Sequence, residues 1–134
     1  MKEEIFFSII IPTYNREKKL INAINSVINQ TYKNWELIIV DNQSIDDSKK
    51  IVESLNNDKI FFYEIKNEGI IAKSRNYGIS KSRGEYLCFL DSDDWWKPSK
   101  LEITYNFIKK GYKFLYHNMR LTKDGNFFKR KVSY

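Results

Sequence analysis

With one cysteine, one histidine, two prolines and five glycines in 134 residues, several kinds of protein are out of reach for this sequence. A single thiol, Cys88, cannot build an intramolecular disulfide framework and fits a reducing compartment. His117 stands too isolated, and Cys88 sits mid-strand, so neither points to a zinc ligand set. No Pro/Gly/Ser linker, repeat or low-complexity tract divides the chain. No apolar run approaches the ~18–20 residues that a membrane span needs. The start does not read as a signal peptide either, because its apolar run follows Glu3 and Glu4 and stops at Pro12, with Asn15 and Arg16 close behind. The expected address is the cytoplasm.

What is present is an ordinary globular composition, 42% hydrophobic and 30% charged. Residues 1–134 are expected to form one domain, large enough to bury roughly 65–70% of the surface its unfolded chain exposes. Lys and Arg number 23 against 17 Asp and Glu, a formal net charge of +6. Many of the lysines pair on helix faces (Lys18-Lys19, Lys49-Lys50, Lys109-Lys110), the pattern of a solvated basic surface. No nucleic-acid motif accompanies them, so no nucleic-acid partner is expected. What remains is a general pull toward phosphates and acidic lipid surfaces.

Four short apolar runs, Phe7 to Ile11, Leu37 to Val40, Ile60 to Tyr63 and Tyr86 to Leu90, are rich in β-branched and aromatic residues. They predict strands buried on both faces of a parallel sheet. Between them lie helical patterns. Leu20, Ile24, Val27 and Ile28 share a face behind Asn15 as N-cap. Ser48, Ile51, Val52 and Leu55 form a shorter stripe entered near Ser44 or Asp46. A third helix within about 70–82 presents Ala72, Asn76 and Ile79 on one face, and a fourth carries Leu101, Tyr105 and Ile108. The last starts with Pro98 in its first turn or with a Ser99–Glu102 capping box, and Gly111 stops it. Tyr112 to Tyr116 reads as a fifth strand, and Lys123-Asp124-Gly125-Asn126 as a hairpin turn. The alternation predicts right-handed βαβ units, hence an α/β fold with an open, mainly parallel sheet flanked by helices.

Such sheets bind ligands beyond the carboxyl ends of their strands. Those ends carry Pro12-Thr13-Tyr14-Asn15, Asp41-Asn42-Gln43-Ser44, Lys66-Asn67-Glu68-Gly69 and Asp91-Ser92-Asp93-Asp94. Each alone suits a turn or a helix cap; together they gather polar side chains on one edge. In an extended segment Asp91 and Asp93 point the same way and repel unless a cation intervenes. Oxygen ligands of this kind suit Mg²⁺ or Mn²⁺, completed by phosphates and waters.

These motifs, in order over about residues 6 to 110, resemble the inverting, family 2-type glycosyltransferases. The matching residues are Pro12-Thr13-Tyr14-Asn15, Asp41 with Ser44 and Asp46, Asn67-x-Gly69 with Arg75-Asn76-x-Gly78-Ile79, and Gly84-Glu85-Tyr86 with Phe89-Leu90-Asp91-Ser92-Asp93-Asp94. The resemblance implies a Rossmann-like GT-A fold, a nucleotide-diphosphate sugar as donor (UDP-sugar foremost) and Mg²⁺ or Mn²⁺ as cofactor. It implies that Pro12, Thr13 and Tyr14 line the base and ribose pocket with Asn15 close by, and that Asp41 accepts a hydrogen bond from the base. Asn67 and Gly69 belong to the same donor-binding set. Arg75 meets the nucleotide or its diphosphate, Asp91 holds the ribose, and Asp93 coordinates the metal, with Asp91 as the second metal residue and Ser92 and Asp94 beside them. The acceptor would be a saccharide or a lipid-linked saccharide in surface polysaccharide synthesis, at the inner face of the membrane.

Two departures accompany the resemblance. The stretch from Gly69 to Arg75 is one residue longer than the commonest family spacing. No residue matches the family's catalytic base, since Glu68, Asp94 and Glu102 lie in the wrong segments. The chain therefore reads as a donor-binding half. The alternative is a non-catalytic nucleotide-sugar-binding or interaction module. A nucleotidyltransferase would need a glycine-rich phosphate loop after the first strand, and Thr13 to Glu17 has none. Of Trp95 and Trp96, one anchors the next helix in the core and the other is free to roof a sugar. The tail Phe127-Phe128-Lys129-Arg130-Lys131 reads as a basic hairpin strand, or as a contact with an anionic membrane.

Overall fold

The two most continuous apolar runs become the central strands, β1 (Phe7–Thr13) and β2 (Trp35–Asp41). They pair in parallel from Phe7 opposite Trp35 to Thr13 opposite Asp41. β3 (Ile60–Glu64) adds to the outer side of β2 and β4 (Tyr86–Phe89) to the outer side of β1. The result is an all-parallel sheet of order β3-β2-β1-β4. The computed structural model describes residues 4–116 and, for their backbone, 121–123 and 126–128.

Side chains alternate across this sheet and build two cores. On one face Phe7, Ile9, Ile11, Leu37 and Ile39 meet Leu20, Ile24 and Val27 of α1 (Glu17–Ile28) and Leu101 of α4 (Lys100–Lys109). Trp96 is buried in the same cluster, while Trp95 stays about half exposed. On the other face Ile10, Ile38 and Val40 pack with Tyr63, Ile65 and Tyr77 under α3 (Ile71–Lys81). α2 (Ser48–Ser54) closes the crossover between β2 and β3. Burying each large aliphatic side chain contributes roughly 1.5–3 kcal/mol.

Several expectations change in three dimensions. β3 and β4 are edge strands and not buried on both faces; β4 leaves Leu87 and Phe89 exposed because α3 lies over β1 and β2. The expected inner face of α3 is the outer one: Ala72, Asn76 and Ile79 are exposed, and Ser74 and Gly78 are buried. Small residues win there because the helix lies close to the sheet, where a Cβ on Gly78 would sit 2.6 Å from Ile10 Cγ2. Asn15 does not cap α1. Arg16 holds the N-cap position, and Asn15, at φ +47°, turns its side chain elsewhere. Ser99 precedes α4 without a side-chain capping bond, and Glu102, the other half of the expected box, accepts instead from Thr31 Oγ1 at 2.8 Å. Pro98 lies just outside that helix, its carbonyl accepting from Thr31 N.

At the other end of α4 Gly111 acts as expected. Its φ of +96° lets Gly111 N reach Ile108 O and Tyr112 N reach Phe107 O. Residues 112–116 then run without regular structure, so the fifth strand expected there is absent. β5 (Leu121–Lys123) and β6 (Asn126–Phe128) pair antiparallel with Lys123 opposite Asn126, as a two-residue hairpin requires. The turn residues Asp124 and Gly125, His117 and the basic stretch after Phe128 lie outside the described residues. Among the described residues no helix is long and apolar enough to cross a membrane.

Candidate functional site

Parallel pairing carries the loops after all four strands to one edge, and side-chain hydrogen bonds lace them together. Asp41, at the end of β2, is 1% exposed. Its Oδ2 accepts from Ser44 N at 2.7 Å and its Oδ1 from Ser44 Oγ at 2.5 Å. The same hydroxyl oxygen accepts from Asn15 N at 2.8 Å, and Asn15 Oδ1 accepts from Ile45 N at 2.9 Å. Further along, Asp46 accepts from Glu17 N and from both the backbone N–H and hydroxyl of Ser48. Burial pushes the Asp46 carboxyl up, but these bonds outweigh it and hold the group below the ordinary Asp range. The loops after β1 and β2 therefore form one unit.

The third loop joins through two asparagines. Asn42 N donates to Thr13 O, and Asn42 Oδ1 accepts from Asn67 N at 2.8 Å. Buried Asn67 bonds Ser74 Oγ through Nδ2 and takes Gly69 N on Oδ1. The chain turns here through left-handed geometry at Glu68 (φ +56°) and Gly69 (φ +77°), which suits glycine at the second position. Glu68 is ion-paired with Lys73.

The loop after β4 holds the acidic cluster. It turns at once, with Asp94 N donating to Asp91 O at 3.0 Å, so Asp91 and Asp93 do not share one extended segment. Each faces its own arginine. Arg75, from α3, donates through Nη2 to Asp91 Oδ1 at 2.9 Å, and Arg16 Nη1 lies 3.6 Å from Asp93 Oδ2. Ser92 is buried between them in sequence. The Asp94 carboxyl is raised, first by burial and then by the neighbouring charges of Asp93 and Asp91. Among the described residues no group of three acids, histidines or cysteines is assembled to enclose a metal ion.

The edge thus gathers Pro12, Thr13 and Asp41 at strand ends, Tyr14, Asn15, Asn67, Gly69, Asp91, Ser92 and Asp93 on the loops that follow, and Arg75 on α3. Two buried polar atoms there, Thr13 Oγ1 and Arg75 Nε, have no hydrogen-bond partner. Buried polar groups are rarely left so, and ligand sites are one place where they are. The exposed ring of Tyr14 offers a stacking face beside them. Two contributions were not legible in the sequence. Ser44 bridges Asp41 to Asn15, and Arg16 reaches Asp93 from a distant loop; local spacing carries no signal of either.

This constellation on a parallel sheet defines a class. The chain belongs to glycosyl transferase family 2, whose family model matches residues 8–134. An uncharacterized glycosyltransferase of Rickettsia bellii is 39% identical over 123 residues, covering 90% of this chain and 18% of that protein. The Escherichia coli UDP-Glc:alpha-D-GlcNAc-diphosphoundecaprenol beta-1,3-glucosyltransferase WfgD is 32% identical over 125 residues, covering 92% of this chain and 49% of WfgD. Among solved structures, Staphylococcus aureus TarS residues 1–349 superpose with a TM-score of 0.75 at 33% identity, covering 79% of this chain and 33% of that one. TarS has also been crystallised with UDP and with UDP-GlcNAc. The fold is that of the GT-A glycosyltransferases, and the chain spans from about a fifth to half the length of these relatives.

Proposed function

We propose that residues 1–134 form the donor-binding domain of an inverting glycosyltransferase. It takes a sugar from a nucleotide diphosphate, UDP foremost, and passes it to a saccharide or lipid-linked acceptor in surface polysaccharide synthesis. The observation that carries this reading is the lacing of four strand-end loops into one polar edge with an unpartnered threonine hydroxyl and an arginine fork. TarS with bound UDP and the lipid-diphosphate acceptor in the name of WfgD support the substrate classes. Lipid-linked acceptors favour work at the cytoplasmic face of a membrane, where a basic protein gains affinity for anionic lipid.

In this reading Asp41, its orientation fixed by Ser44, accepts a hydrogen bond from the base, and Tyr14 stacks on it beside Pro12, Thr13 and Asn15. Asn67 and Gly69 shape the neighbouring wall. Asp91 holds the ribose. Departure of a nucleoside diphosphate builds negative charge on phosphate oxygen, and in this reading the Arg75 guanidinium meets it as an always-charged fork. The oxygen donors Asp91, Ser92 and Asp93, gathered on the loop after β4, suit Mg²⁺ or Mn²⁺ with the remaining ligands coming from phosphate and water. When bound, such an ion supplies Lewis-acid stabilisation of the leaving diphosphate. The acceptor hydroxyl is deprotonated by a base outside these residues.

Calorimetric titration with UDP in the presence of Mn²⁺ tests the reading. Wild type should bind, and Asp93→Ala should lose at least about tenfold in affinity, 1.4 kcal/mol. Equal binding by the two would remove Asp93 from the metal role, and no binding by wild type would remove the donor site itself.

A further inference from the structure

Each carboxylate of the Asp-x-Asp motif faces a guanidinium, but the two pairs are built differently. Arg75 makes a hydrogen bond to Asp91 at 2.9 Å and has its Nε buried. Arg16 stands 3.6 Å from Asp93, beyond hydrogen-bond distance, with its side chain 47% and that of Asp93 44% exposed. A pair so open and so long is worth between nothing and about 1 kcal/mol, so it breaks readily.

The backbone of Arg16, by contrast, is held firmly. Its carbonyl accepts from Lys19 N at 3.0 Å and Leu20 N at 2.7 Å, which fixes it as the N-cap of α1. The preceding residue, Asn15, is pinned on both sides by the Ser44 hydroxyl and Ile45 N–H. These bonds hold the loop backbone, whereas the half-exposed Arg16 side chain makes only one long, open ion pair. A guanidinium so held, beside the acid that suits a divalent cation, has two anionic partners available in turn.

We propose that Arg16 is a partner-exchanging residue of the donor site. It neutralises Asp93 while the site is empty, and it binds the diphosphate of the donor once Asp93 is engaged by a divalent cation. The inference rests on the donor-site reading above. A cation arriving at Asp93 places like charge beside the guanidinium and repels it. A diphosphate offers the same guanidinium a stronger, two-point acceptor than one half-exposed carboxylate. Arg16 then adds to the charge clamp begun by Arg75, from the β1–α1 loop, which follows the strand that pairs with β4 in the sheet.

The test uses the 134-residue chain and three ligands: uridine, UDP with Mn²⁺, and Mn²⁺ alone, each by calorimetry on wild type, Arg16→Gln and Arg16→Lys. Arg16→Gln should lose about tenfold or more in UDP affinity, with uridine binding unchanged and Mn²⁺ alone bound at least as tightly as by wild type. Arg16→Lys, which keeps the charge without the fork, should fall between the two. Unchanged UDP binding by Arg16→Gln would overturn the proposal. So would an equal loss for uridine, which would mark a distorted loop, or weaker binding of Mn²⁺ alone. If wild type binds uridine and UDP but the variants match it, only the role of Arg16 falls; if wild type binds neither, the donor site falls and the proposal with it.

Discussion

Ser44 shows how much one hydroxyl can organise. It donates to a carboxylate that is almost wholly buried and accepts from the backbone of Asn15, a residue in left-handed geometry. Removing it leaves Asp41 with a single bond from Ser44 N and Asn15 without its backbone acceptor. Ser44→Ala should therefore lower stability by about 1–2 kcal/mol in urea unfolding and weaken UDP binding, while Ser44→Thr keeps both. A neighbouring case separates binding from stability. Arg75→Lys should weaken UDP in calorimetry because an ammonium cannot replace a planar fork. Its melting temperature should barely move, since the Arg75–Asp91 pair is partly exposed, at 39% and 52%.

At the scale of elements, the opposite edge of the sheet is held by a buried acid. Glu36 on β2 accepts from Ser8 Oγ at 2.6 Å, Arg83 N at 2.7 Å and Arg83 Nε at 2.7 Å, tying β1, β2 and the approach to β4. Burial pushes the Glu36 carboxyl up, yet the Ser8 and Arg83 bonds outweigh it and hold it below the ordinary Glu range. The depressed folded value means this contribution is complete above the unfolded pKa, near 4.5, and is lost as pH falls through the folded one. Glu36→Ala should cost about 1–3 kcal/mol at neutral pH, because Ser8 Oγ and Arg83 N lose their buried acceptor, and Glu36→Gln should flatten the acid limb of a stability-against-pH curve. Gly84 lies against the same junction. A Cβ there would meet Ser8 N at 2.5 Å and Phe6 O at 2.8 Å, so Gly84→Ala must push β4 from β1 and lower the urea midpoint.

For the whole molecule, Cys88 gives a probe of packing. It is partly buried against the core and its thiol is pushed up to about 11, first by burial, so alkylation at pH 8 should be slow in the native state and accelerate on unfolding in urea. A native labelling rate equal to that of the unfolded chain would contradict this. The four strand positions, their parallel alternation with helices and the run of loop motifs were readable from the chain, because buried strands need continuous apolar residues and strand ends need polar ones; the order β3-β2-β1-β4 was not. The polar edge was readable for the same reason. The inner face of α3 was not: Ser74 and Gly78 are buried because of how near the sheet lies, and no helical periodicity encodes that distance. The expected strand over 112–116 failed because aromatic β-propensity alone supplies no neighbouring strand to pair with. The sequence by itself determined which residues reach the carboxyl edge. Only the tertiary structure decided which of them touch, because the bond of Ser44 to Asn15 and the approach of Arg16 to Asp93 depend on loops brought side by side by parallel pairing.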